Sequence, residues 1–124
     1  MRRFTLLEAN NVATRIAPLI GDMLRRRGKL IARRPELAPV LRDLTSNVGG
    51  IAASAATLDL LALEQLMANI RGYGCRLTHG HFGHVDFLTD IDGREMYYCW
   101  RLGESEVAHY HELNEGYEQR RALP

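Results

Sequence analysis

Histidine, cysteine and carboxylate side chains, which could carry chemistry, are concentrated in the second half of the chain. All five histidines and both cysteines lie after residue 74. His79, His81 and His84 form a Gly/His-rich loop, and Asp86 follows two residues later. Imidazoles and a carboxylate suit zinc, iron, nickel or manganese. The loop therefore predicts a divalent-metal site, with Asp86 or the more distant His111 as a further ligand. The alternative is a solvent-exposed loop that carries histidines without binding metal.

The stretch that follows this loop has the pattern of a β-meander. His84 to Leu88 alternates polar and apolar residues, which is the period of a half-buried strand. Asp92-Gly93 favours a tight hairpin turn, because both residues accept positive φ. Arg94 to Trp100 is rich in aromatic residues and so favours a second strand. Glu106 to His111 can form a third, and Cys75 to Thr78 a short additional one.

Several segments of the chain resemble a bacterial family catalogued as domain of unknown function 2203. The similar segments are VDF, DGRE, CWRLGE and Tyr110-His111 in the meander, RFTLLEAN at Arg3 to Asn10, and GYEQR at Gly116 to Arg120. The resemblance covers most of the chain and is weak between Arg25 and Gly72. It implies that the CWRLGE segment and His111 belong to one spatial unit. It does not extend to His79 and His81.

Residues at these motif positions form a second candidate binding set, which consists of Asp86, Cys99, Trp100, Arg101, Glu104 and His111. Asp, Cys and His could serve as general base, nucleophile or metal ligand. The alternative is structural. Asp86 would cap the turn or pair with Arg94 or Arg101, and Trp100 would fill the core. Glu104 would accept from turn amides, and His111 would bond a backbone carbonyl. Adjacent strand residues face opposite sides, so only one of Cys99 and Trp100 can line a given pocket. No catalytic residue is assigned.

The first 74 residues have the pattern of two helices. A capping box at Thr5 to Glu8 predicts the start of the first, which should run to about Ala32 with a kink at Thr14 or Arg15 caused by Pro18. A short helix could run from Pro39 to Leu44, and a second long helix from Ile51 to Arg71. Each long helix carries apolar residues at alternating spacings of three and four, with Arg26 interrupting the first row. The rows are Ala9, Val12, Ile16, Leu19, Met23 and Leu30, then Ala53, Ala56, Leu60, Leu63, Met67 and Ile70.

These elements together predict an α+β fold. A long antiparallel helical hairpin, residues 5–72, would pack against a small antiparallel β-meander of three or four strands, residues 75–111. Residues 112–124 would form a polar tail. At 124 residues, with ordinary apolar and charged fractions, the chain is expected to be a single domain.

Composition also indicates where in the cell the protein resides and whether its cysteines form disulfides. No apolar run approaches the ~20 residues of a membrane span, and the N-terminus lacks the apolar core of a signal peptide. We therefore expect a cytoplasmic protein without membrane attachment. Structural disulfides are rare in that compartment, so Cys75 and Cys99 are interpreted as small buried hydrophobic residues.

The charge is distributed unevenly along the chain. Residues 1–42 hold ten basic and three acidic residues, for a net charge of +7, and the remainder holds six against twelve, for −6. A basic helix can meet nucleic acid, but the near-neutral total and the lack of interleaved aromatic residues argue against it. Phosphate-binding glycine loops and the G-x-S-x-G and H-E-x-x-H motifs are absent from the sequence.

These observations favour a small non-catalytic interaction or scaffold protein that self-associates through its helices, as a homodimer, or binds a protein partner. The alternative is a metal-binding protein that uses His79, His81 and His84 with Asp86 or His111, including a small metal-dependent enzyme.

Overall fold

The computed structural model describes residues 2–41, 57–78 and 83–124, which form an α+β protein. Three α-helices come first: α1 at Leu6–Arg33, α2 at Ala38–Leu41 and α3 at Thr57–Arg71. Five strands follow: β1 at Arg76–Leu77, β2 at His84–Ile91, β3 at Arg94–Arg101, β4 at His109–Glu112 and β5 at Arg121–Ala122. Single turns of 3-10 helix lie at Pro35–Leu37 and Tyr117–Gln119. No helix in these described ranges is long and apolar enough to span a membrane.

The start of α1 is set by the predicted capping box. The Thr5 hydroxyl accepts from the Glu8 amide at 3.1 Å, and the Glu8 carboxylate accepts from the Thr5 amide at 2.9 Å. The helix then continues across Pro18 to Arg33. After it, the chain forms a 3-10 turn and then α2, which covers residues 39–41 of the helix predicted at Pro39 to Leu44. The last three residues of that prediction lie outside the described ranges.

One core of buried apolar side chains joins α1, α3 and the sheet. Most of the core residues on the helices belong to the two predicted apolar rows. Of the other row members, Leu19 is only partly buried, and Ala53 and Ala56 lie outside the described residues. Burying each large aliphatic side chain contributes about 1.5–3 kcal/mol to stability. The sheet contributes Val85, Phe87 and Trp100, and the Phe4 ring meets the Phe87 ring edge-on at 5.0 Å.

The two long helices run in opposite directions. Arg33, at the end of α1, bonds Asp59 near the start of α3 at 2.6 Å, whereas Leu19 lies beside Gly72 just past the end of α3. The chain between them, residues 42–56, is outside the described ranges. The helical hairpin packed on the sheet therefore stays a prediction.

The sheet is antiparallel, and its strand order follows the chain order. Asp92 at φ 53° and Gly93 at φ 80° form the predicted tight turn between β2 and β3. The sheet has five strands, where three or four were expected. The additional strand, β5, comes from the segment interpreted as a polar tail, and at two residues it is too short to show any periodicity.

The two faces of the sheet differ in chemistry. Val85, Phe87 and Trp100 point toward the helices and lie in the apolar core. On the opposite face the strand register aligns Arg76 with Asp86 and Asp86 with Cys99. This second face is polar, yet several of its side chains are buried as fully as the core.

Candidate functional site

The candidate site is a buried group of three chemically different side chains on the polar face of the sheet. Asp86 lies on β2, Cys99 on β3 and His111 on β4. Asp86 and Cys99 are cross-strand partners, and His111 is the partner of Tyr97, two residues before Cys99. Only 1% of the Asp86 surface is exposed, and Cys99 and His111 are both at 0%. We call this group the Asp86–Cys99–His111 cluster.

Hydrogen bonds fix the orientation of the carboxylate and the imidazole. Nε2 of His111 lies 3.0 Å from Oδ1 of Asp86, and Nδ1 of His111 lies 2.8 Å from the carbonyl oxygen of Glu112. Both of these oxygens are acceptors, so both ring nitrogens donate and the imidazole carries its second proton. The other carboxylate oxygen, Oδ2, accepts from Nη2 of Arg76 at 2.7 Å.

The ion pair between Asp86 and His111 shifts both groups toward their charged forms. Burial alone would raise the pKa of the Asp86 carboxyl, but hydrogen bonds and positive charge from His111 and Arg76 outweigh it and lower that pKa. Burial likewise works against the imidazolium, but the Asp86 hydrogen bond and the Glu112 carbonyl raise the pKa of His111 above its usual value. The two shifts agree in sign, as expected for a paired anion and cation.

Cys99 is a protonated thiol in this arrangement. Burial, and next the negative charge of Asp86, raise its pKa to about 12, with Arg120 acting in the opposite direction. A thiol with such a pKa is a poor nucleophile at neutral pH, so the arrangement gives no support to Cys99 as a nucleophile. Cys75 is also buried, with a pKa raised to about 11 mainly by burial, and its thiol donates to the Ile70 carbonyl at 3.3 Å.

The cluster has the composition and spacing of a metal site. One donor atom from each of its three residues lies within 4.8 Å of the other two. Carboxylate oxygen, thiolate sulfur and imidazole nitrogen are the donors that zinc takes in proteins. The arrangement can therefore act chemically in two ways, as a hydrogen-bonded ion pair or as a ligand set.

A second polar group, centred on Glu104, lies next to the cluster. Arg120 binds the Glu104 carboxylate through two parallel contacts of 3.0 and 2.9 Å, and the Arg101 amide donates to it at 2.7 Å. These bonds overcome the effect of burial and lower the pKa of Glu104. Nδ1 of His109 lies 3.6 Å from the same carboxylate. Arg120 and Arg101 also both donate to the Tyr117 hydroxyl, at 3.1 and 3.3 Å.

The structure brings together part of the predicted site and separates the rest. Asp86, Cys99 and His111 meet, and Glu104 and Arg101 lie in the neighbouring group. Trp100 faces the helices instead, with Nε1 donating to the Glu104 carbonyl at 3.2 Å, so strand parity separates it from Cys99.

The histidine loop contributes one described residue. His84 is buried on the polar face, where Nε2 contacts the Thr78 hydroxyl and the ring lies 4.9 Å from the Tyr117 ring. His79 and His81 lie outside the described residues. The loop site therefore stays a prediction for those two histidines.

Two arginines of the site were missed by sequence reasoning. Arg76 lies on a two-residue strand whose pairing no periodicity reveals. Arg120 lies at the end of the GYEQR segment, where the family resemblance marks it as a candidate. In the structural alternative, Asp86 would cap the turn or pair with Arg94 or Arg101. Arg94 instead contacts Glu112, and Arg101 bonds Tyr117.

Comparison with known proteins assigns the chain to a family. It belongs to the family described as "Uncharacterized conserved protein (DUF2203)", whose sequence model matches residues 2–123. Neither a curated protein nor a solved structure gives a significant match.

Proposed function

We propose that this member of the DUF2203 family binds one divalent metal ion of the zinc type. The ligands are Oδ1 of Asp86, the sulfur of Cys99 and Nε2 of His111. The observation that carries the proposal is the convergence of these three donors, from three adjacent strands, to within 4.8 Å of one another in a buried site.

The atoms that would not bind the metal are already held by other groups. Nδ1 of His111 donates to a backbone carbonyl, so Nε2 points into the cluster. Oδ2 of Asp86 is held by Arg76, so Oδ1 points the same way. Metal-binding histidines and carboxylates are oriented in proteins by outer hydrogen bonds of this kind.

Charge balance also favours the proposal. Without metal, the cluster holds a carboxylate, a neutral thiol and an imidazolium, which sum to zero. With a divalent ion, it would hold a carboxylate, a thiolate, a neutral imidazole and two positive charges, which again sum to zero. Exchange of two protons for one ion therefore leaves the net charge of the buried group unchanged, whether or not the neighbouring Arg76 guanidinium is counted, so binding adds no uncompensated buried charge.

The spacing requires only a small adjustment. Zinc lies about 2.0–2.1 Å from nitrogen and about 2.3 Å from sulfur, so tetrahedral ligands are roughly 3.5 Å apart. The donors would move by an ångström or so, and the Asp86–His111 hydrogen bond would be replaced by two metal bonds. Three protein ligands leave a fourth position for water or a small ligand, as in catalytic zinc sites. A reducing cytoplasm, the location we propose, would keep Cys99 available as a ligand.

Cobalt binding provides the test, because a Co²⁺–thiolate bond produces a charge-transfer absorption band that oxygen and nitrogen ligands do not give. We expect untagged protein purified without chelator to contain about one zinc-type ion per chain by elemental mass spectrometry. Apo protein titrated with Co²⁺ should develop the thiolate band. Cys99→Ser should abolish the band and weaken binding at least tenfold.

Cys75→Ser is the matched control, since Cys75 is also a buried cysteine but lies outside the cluster. It should keep the band. Equal bands in both variants, or no Co²⁺ binding by the wild type, would contradict the proposal and leave the cluster as a structural ion pair. A further variant, His79→Ala with His81→Ala, separates the two possible sites. It should bind Co²⁺ as the wild type does, whereas loss of binding would move the site to the histidine loop.

A further inference from the structure

A cleft between α1 and the beginning of α3 carries more positive than negative charge. Its volume is about 280 Å³, and it is lined by Asp22, Arg25, Arg26, Lys29, Arg33 and Asp59. Four of these side chains are cationic and two are anionic, so the lining holds a surplus of two positive charges. A concave site with such a surplus attracts anions. We call this site the Lys29 cleft.

The cations of the cleft all come from one side of α1. Lys29 follows Arg25 and Arg26 by about one turn and precedes Arg33 by about one turn. Side chains at these spacings are neighbours on a helix. At 1.5 Å per residue, the row from Arg25 to Arg33 extends about 12 Å. Lys29 therefore lies at the centre of the row, with guanidinium groups before and after it.

Lys29 has no acidic partner in the part of the chain that the structure describes, although it lies between positive groups. Like charges one turn apart destabilise a helix, so Lys29 lowers the stability of α1. Arg25 and Arg26 are only partly compensated, because they share the single carboxylate of Asp22, at 3.3 and 3.2 Å. A bound anion would compensate the repulsion that remains.

The existing ion pairs leave the arginines able to bind a ligand. Between 49% and 66% of each arginine side chain in the cleft is exposed, and exposed ion pairs contribute little to stability. A guanidinium has five N–H donors, and each of the three contacts to Asp22 and Asp59 uses one nitrogen. The remaining donors suit phosphate, whose oxygens accept from a guanidinium in pairs.

The two carboxylates limit the length of the ligand. Asp22 lies one turn before Arg25 and Arg26, and Asp59 lies beside Arg33 at the other end of the row. A polyanion that extended past the four cations would meet these acids and be repelled. A single phosphate group fits between them. A phosphate monoester carries about two negative charges at pH 7, which matches the surplus of the cleft.

We propose that the Lys29 cleft binds a small phosphate monoester. Its phosphate group lies at Lys29, and the guanidinium groups of Arg26 and Arg33 hold it from either side along α1. The cleft shares no residue with the Asp86–Cys99–His111 cluster, and it lies on the helices rather than on the polar face of the sheet. Ligand binding therefore does not depend on the proposed metal ion.

Amide NMR spectra of the isotope-labelled full chain test the site, with glycerol phosphate as the ligand and glycerol as its uncharged counterpart at constant ionic strength. Glycerol phosphate should shift the amide signals between Arg25 and Arg33 saturably, with a Kd of about 1 mM, whereas glycerol should shift none of them. Lys29→Gln should weaken binding about tenfold. It should not lower the melting temperature, because it removes a repulsive charge from α1.

Arg15→Gln is the matched control, because Arg15 is also an exposed cation of α1 but lies outside the cleft. It removes the same charge and should bind glycerol phosphate as the wild type does. An equal loss of affinity in both variants would overturn the proposal, since general charge attraction would then be the cause. The absence of saturable shifts would overturn it too. Binding of a single-stranded oligonucleotide that requires Lys29, without a response to glycerol phosphate, would assign the cleft to a polyanion instead.

Discussion

Asp86 and His111 form a 3.0 Å ion pair between strands that are not neighbours in the sheet. Asp86 lies on β2 and His111 on β4, with β3 between them. Strands two positions apart are separated by about 9–10 Å, so both side chains must lean over β3, where Cys99 lies. The Cys99 thiol therefore lies beside this ion pair, within 4.8 Å of both charged donor atoms.

Removing one member of this pair should be costly in the metal-free protein. Asp86→Asn leaves the buried imidazolium without its counter-charge, and we expect a loss of about 3 kcal/mol in the free energy of unfolding at pH 7. His111→Gln should also destabilise. Because the two residues share one interaction, the double variant should lose less than the sum of the single variants. Urea unfolding of the four proteins measures the coupling, and strict additivity would show that the pair contributes nothing.

Metal binding should release protons. The Cys99 thiol, with a pKa raised to about 12, and the doubly protonated His111 must each lose a proton to bind. At pH 6, below the raised pKa of His111, we expect about two protons per ion and a rise of about two log units in affinity per pH unit. Calorimetry in buffers of different ionisation enthalpy counts the protons directly. Release of no protons would be incompatible with Cys99 and His111 as ligands.

Glu104 should make the fold sensitive to acid. Its pKa is lower in the folded protein than its ordinary value of 4.5, so its contribution is complete above pH 4.5 and is lost as the pH falls through the folded value. Glu104→Gln should cost about 1.5–3 kcal/mol at pH 7, since it removes charged hydrogen bonds. This difference from the wild type should shrink steadily below pH 4.5. Unfolding curves at a series of pH values provide the measurement, and a constant difference would exclude the ion pair with Arg120 as its cause.

Two glycines with open surroundings should respond in opposite ways to alanine. A Cβ at Gly93 or at Gly28 would meet no atom within 4 Å. Gly93 has φ of 80° in the β2–β3 turn, so Gly93→Ala should destabilise by about 1 kcal/mol or more. Gly28 lies within α1, where Gly28→Ala should stabilise by about 0.5–1 kcal/mol. Thermal unfolding of both variants distinguishes the two backbone effects, and a shift of the same sign in both would contradict this account.

The parts of the structure that sequence analysis predicted depend on local rules. The capping box at Thr5 and the turn at Asp92-Gly93 are each set by a few adjacent residues. Strand alternation alone likewise separates Cys99 from Trp100, because adjacent residues of a strand face opposite sides of the sheet. The candidate site was predicted only in part, because the partner of a side chain depends on strand register. Arg76 pairs with Asp86 through the register of β1, which its two residues do not reveal.

The C-terminal segment was misinterpreted for a different reason. Its polar composition suggested a solvated tail, since polar residues usually face water. Here, however, the second face of the sheet is itself polar, and Tyr117 and Arg120 bind it through hydrogen bonds. A polar segment that packs on a polar face has the same composition as a solvent-exposed segment, so composition alone cannot distinguish the two.

The short outer strands have a consequence for aggregation. An unpaired strand edge can recruit a strand from another chain and so nucleate fibrils. Here β1 and β5 have only two residues each, and on β2 the carbonyl of Leu88, beyond the reach of β1, accepts from the Phe4 amide at 2.8 Å. These edges offer another polypeptide little length on which to add. We therefore expect the native sheet to resist edge-to-edge growth.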